Sequence, residues 1–162
     1  MYTDAFIKQL IECPKVIVDS PKSNPDRLGS KKRNFTMQSV DGLFSFSGFI
    51  SENIKFSENF SIGLVYYPKQ ERESIVLLRC NGMHGSNKNI PHHNYCHVHT
   101  VLAEDVNNGI TTERHVVGCT EYSTVADCLQ YYIKKINLEK KDCRKYFPPP
   151  TGQFGLFVEE NG

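Results

Sequence analysis

Apolar residues at helical spacing open the chain: Phe6, Ile7, Leu10 and Ile11 fall on one face of "TDAFIKQLIE", residues 3–12. With Thr3 or Asp4 as a cap, this predicts a short amphipathic helix. "KVIVDS" after Pro14 predicts a short strand. Residues 19–33 are polar, carry Pro21 and Pro25 and end in Lys31, Lys32 and Arg33, so a basic loop is expected there. From residue 35 the period changes to two. Phe35, Met37 and Ser39 alternate with polar positions, and Asp41-Gly42 marks a hairpin before "LFSFS". "FSIGLVYYPK" predicts another strand. "SIVLLRC" is almost continuously apolar, as in a strand covered on both faces. After the Gly/Asn-rich "NGMHGSNKNIP", a strand is expected over roughly 93–102.

The strongest helical pattern is residues 124–136. Val125, Leu129, Tyr132, Ile133 and Ile136 share one face, and Thr124 with Asp127 resembles a capping box. Lys134 and Lys135 suit its C-terminal end. Residues 139–162 are expected as a proline-containing tail in which "QFGLFV" either adds an edge strand or packs as a tail. The whole predicts one α+β domain, 1–162. It would be an antiparallel, meander-like sheet packed against a long C-terminal helix and a short N-terminal one.

Composition narrows the classes. Hydrophobic residues make up 39% and charged residues 23% of 162 residues, a globular balance. The net charge of +1 supplies no global field for nucleic acid, so any such contact would need a local patch. No apolar run reaches the ~20 residues of a membrane span. The N-terminus lacks a signal pattern, so a cytoplasmic chain with reduced thiols is expected. The six cysteines form no CxxC pair and read mainly as small buried hydrophobes.

Chemistry concentrates in "PHHNYCHVHT", residues 91–100, which holds four of the six histidines; His84 lies just upstream. In a strand, His93, Tyr95, His97 and His99 would share one face, and Asn94, Cys96, Val98 and Thr100 the other. Three readings follow. Histidines at i and i+2 can ligate zinc or another transition metal, with His84, His93 or Cys80 completing the set. Alternatively, His97, His99 and His84 can act as metal-free base and acid on a phosphodiester. Arg79 or Arg114 would then hold the phosphate, Tyr95 would stack on a base, and Lys31, Lys32 and Arg33 would follow the backbone. The third reading is a polar sheet face that binds a protein partner without catalysis. The chain lacks the paired His-x-Thr of two-histidine phosphoesterases, and it has no P-loop, GxGxxG, HExxH or GxSxG motif.

"LLRCNGMHG", "HHNYCHVHT" and "TEYSTVADCLQYYIKKINL", with "FSIGLVYYPK", resemble a family of small bacterial domains of unknown function. The likeness covers the middle and C-terminal two-thirds of the chain. It implies a stand-alone bacterial or mobile-element protein of the toxin, antitoxin or phage-defence kind, and it carries no catalytic residue with it. The leading expectation is a nuclease-like protein acting on RNA. The alternatives are a non-catalytic inhibitor or regulator of a protein, and a protein with a structural zinc site.

Overall fold

A computed structural model describes residues 1–27, 29–84 and 94–150. Their elements, in order, are α1 (Asp4–Glu12), β1 (Lys15–Arg27), β2 (Ser30–Ser39), β3 (Ser45–Asn53), β4 (Phe60–Tyr67), β5 (Ile75–Asn81), β6 (His97–Thr100), α2 (Ala103–Asn107), β7 (His115–Gly118), α3 (Val125–Lys135) and α4 (Lys140–Tyr146). The seven strands form one sheet in sequence order, each paired antiparallel with the next. This is the α+β meander expected from the chain.

The caps are where the sequence puts them. Thr3 Oγ1 accepts the Phe6 N–H at 3.1 Å, and Thr124 Oγ1 accepts the Asp127 N–H at 3.1 Å. Each bond satisfies an amide that the first helical turn would leave without a partner. The expectation of a single long C-terminal helix is corrected: α3 has 11 residues, and α4 follows it within the stretch expected as a tail. Asn137, at φ 57°, makes the break, and its Nδ2 donates to Glu12 O.

Residues 19–27 and 30–33 are strand, not loop. They lengthen β1 and β2 into an extended hairpin that outruns the core, so its residues can be polar on both faces. Pro21 and Pro25 fall within two register shifts, Asp19/Lys22 and Asn24/Arg27, on an edge strand. There a missing amide proton costs no ladder bond. The strand expected over 93–102 is shorter, His97–Thr100. Residue 93 and the "QFGLFV" segment lie outside the described residues.

Strand parity divides the sheet. Phe35, Met37, Phe46, Ile50, Ile62, Leu64, Leu78, Cys80 and Val98 line one face and form a core with Ile7 and Leu10 of α1 and Tyr132 and Ile133 of α3. Gly48 lies in this face directly beneath the Phe35 ring. The Tyr132 hydroxyl donates to Gly63 O at 2.8 Å, tying α3 to mid-sheet. Lys15, fully buried, donates from Nζ to the carbonyls of Ile11, Cys13 and Ile136 at 2.6–2.9 Å and lies over the Phe46 ring. One ammonium thereby closes the C-terminal ends of both α1 and α3. The opposite face carries Asn34, Ser47, Phe49, Ser51, Ser61 and Val65, exposed or half-buried.

Candidate functional site

The histidines of β6 sit on that second, polar face. His97 is opposite Asn81, and His99 is opposite Arg79, while Val98 between them is opposite Cys80 in the core. Alternation along β6 thus separates imidazole from hydrophobe. It also puts Cys80 and the histidines on opposite sides of the sheet, so Cys80 does not join a ligand set with them. Buried beneath α3, Cys80 offers its carbonyl to the Cys128 thiol.

Asn81 organises the cluster. Its Oδ1 accepts the Ser61 hydroxyl at 2.8 Å. Its Nδ2 lies 3.3 Å from His84 Nε2 and 3.4 Å from His97 Nε2. His97 Nδ1 is 2.8 Å from Tyr95 O, and a carbonyl can only accept, so Nδ1 carries the proton. In the neutral ring Nε2 is then an acceptor, matched to the amide of Asn81. The amide has a second proton for His84. The ring centres of His84 and His97 are 5.2 Å apart, and those of His97 and His99 4.9 Å. His97 is fully buried and His99 nearly so, while His84 is half-buried and Tyr95 exposed. Tyr95 stands edge-on to His97, 6.2 Å between centres.

Beneath the cluster, Tyr122 donates its hydroxyl to the carbonyls of Asn81 and His97, each at 2.9 Å. It clamps the ends of β5 and β6 that carry the site. Burial raises this phenol well above its ordinary range, so it stays a donor.

The cations divide. Arg79 Nε lies 2.5 Å from Glu113 Oε1, a charge contact in which the N–H is not aligned on the oxygen. Arg114 makes a two-pronged pair with Asp105, at 2.6 and 3.2 Å, which occupies its fork. Lys31 and Arg33 share the core-side face with Phe35, and Arg33 lies over the Phe147 ring. Lys32 alone of the three is on the histidine face. It stands in one cross-strand row with Ser51, Ser61, Asn81 and His97. Four strand spacings make that row about 19 Å long.

His93 lies outside the described residues. Among the described residues, no three His, Cys, Asp or Glu side chains are grouped to hold a metal, and no helix is long and apolar enough to cross a membrane.

Asn81, Glu113, Ser61 and Tyr122 were not singled out by motif. One signal was there for Asn81: Arg79 and Asn81 are the two polar positions, spaced i and i+2, at the end of an otherwise apolar strand. That spacing puts both on one face. The partners of Arg79 and of the carbonyls at the strand ends come from distant segments with no local pattern. No family model, curated protein or solved structure matches the chain, and nothing in these comparisons bears on the bacterial-domain resemblance.

Proposed function

We propose that the protein cleaves single-stranded RNA by metal-free acid–base catalysis on the polar sheet face, as a small nuclease of the toxin or defence kind. One observation carries this reading: His84 and His97 converge through Nε2 on the amide of Asn81, at 3.3 and 3.4 Å, with His99 beside them. Paired imidazoles close to neutrality can divide the two proton transfers of RNA transesterification. One takes the 2′-hydroxyl proton as that oxygen attacks phosphorus. The other gives a proton to the departing 5′-oxygen. The products are a 2′,3′-cyclic phosphate and a free 5′-hydroxyl.

The roles follow hydrogen bonding and position. His84, half-buried on its loop, is the more accessible imidazole, and His99, nearly buried opposite Arg79, is its counterpart. His97, held on both nitrogens and buried, is a positioning residue. The row from Lys32 through Ser51 and Ser61 gives the strand a path of one cation and two hydroxyls toward the cluster, and Tyr95 supplies an exposed ring for stacking.

The test is cleavage of end-labelled single-stranded RNA in excess chelator. The parent chain should leave cyclic-phosphate ends, and His84→Ala and His99→Ala should each lose about 100-fold or more in rate. A double variant as active as the parent, or a parent with no cleavage, overturns the reading. A second reading, a non-catalytic module that binds a protein partner through this face, is favoured by the exposed Tyr95 ring together with the burial of His97 and His99, at 0% and 8% exposure, which leaves little imidazole open to a substrate. It predicts complex formation without turnover, with Tyr95→Ala acting mainly on the off-rate.

A further inference from the structure

We infer that Cys96 and Cys119 form a reversible redox site, a cross-strand dithiol that a small disulfide oxidant closes to a disulfide. The pairing of β6 with β7 sets His97 opposite Gly118 and Val98 opposite Val117. One step beyond the strands, Cys96 and Cys119 continue the register, and the Cys119 N–H donates to Cys96 O at 2.9 Å. Opposed residues of an antiparallel pair have Cα atoms about 4.5–5.5 Å apart, within the range found in disulfides. Their side chains leave the same face, the one that carries Val98. Both thiols are free and half-buried, within reach of a small oxidant. Burial pushes the Cys96 thiol up, and the neighbouring Cys119 adds to that rise, as closely placed sulfurs do.

The chemistry is thiol–disulfide exchange. A thiolate of the pair attacks one sulfur of the oxidant and expels the first small thiol. The second cysteine then attacks the mixed disulfide and expels the other. Both protein thiols are oxidised, the oxidant is reduced to two thiols, and the two protons end on those thiols.

Closure has a structural consequence. β7 is a four-residue edge strand, mostly exposed, whose sheet partner is β6. A bond from Cys96 to Cys119 would enclose β6, α2 and β7 in one covalent ring containing His97, His99 and Glu113. It would hold the edge strand against the strand that bears the histidines.

The experiment uses the full chain, reduced and then incubated with oxidised glutathione, quenched with an alkylating agent and mapped by peptide mass. The expected result is a Cys96–Cys119 linked peptide short of two hydrogens, and a Tm raised by about 5–10 °C. Dithiothreitol should reverse both, and Cys96→Ser and Cys119→Ser should show neither. The inference is overturned if both cysteines remain alkylatable, if they carry separate glutathione adducts, or if they pair instead with Cys80 or Cys128.

Discussion

Asn81 and His97 face one another across β5 and β6, with the amide nitrogen of Asn81 3.4 Å from His97 Nε2. The amide is nearly inaccessible to solvent, so its partners have no water to replace it. Asn81→Ala removes the acceptor for Ser61 and the donor for two imidazoles. A loss of about 1–3 kcal/mol in urea unfolding is expected, because buried polar groups are left unsatisfied. Asn81→Asp replaces the donor with an acceptor, which favours a proton on His97 Nε2. NMR titration should show the His97 pKa raised above that in the parent. An unchanged His97 titration would show that Asn81 does not set its proton.

Tyr122 clamps the site from the core side. Tyr122→Phe keeps the ring against Phe60 and removes the donor shared by the Asn81 and His97 carbonyls. The expected cost is about 1–2 kcal/mol. Hydrogen exchange should rise at the ends of β5 and β6 before it rises at β3 or β4.

Lys15 gives a pH signature. Burial lowers its ammonium from an ordinary 10.5 to about 8. Below pH 8 both folded and unfolded chains hold the proton; between 8 and 10.5 the unfolded chain holds more. Stability contributed by Lys15 therefore rises with pH across that window. In Lys15→Met the contribution is absent. The stability difference between parent and variant should move in the parent's favour by up to about 3 kcal/mol from pH 8 to 10.5. Other titrating groups, such as the Cys143 thiol pushed up to about 11 by burial, cancel in this comparison.

Two glycines separate the faces energetically. A Cβ on Gly48 would stand 2.1 Å from the buried Phe35 ring, which also packs on Phe147. A Cβ on Gly63 would stand 2.2 Å from the ring of Phe49, which is half-buried on the polar face and has room to swing. Gly48→Ala should cost about 2–3 kcal/mol, within the range for overpacking a core, and Gly63→Ala less than half of that. Thermal unfolding of the two variants side by side measures the difference.

Much of the fold was legible in local pattern. Thr3 and Thr124 are helix caps, the apolar periods of α1 and α3 appear in their buried faces, and the alternation through Phe35 and Met37 gives the inward set of β2. Residues 19–33 were not legible, because two polar strands that extend past a core have no apolar alternation to mark them. The basic run at Lys31, Lys32 and Arg33 reads as one patch in sequence, yet strand parity sends Lys32 to one face and its neighbours to the other.

By itself, then, the sequence determined α1, α3, the strands with an apolar period, their meander order and the separation of His97 and His99 from Val98, because helix and strand periods act over a few residues; the short α2, β7 and α4 carry no such period. Tertiary structure alone decided what those side chains meet. Asn81 meets His97 and His84, Glu113 meets Arg79, Tyr122 meets two strand ends, and Cys96 lies opposite Cys119, partners set by register and by the layer of helices. Register comes from pairing between distant segments, and a shift of one residue would exchange the faces while leaving every local period intact.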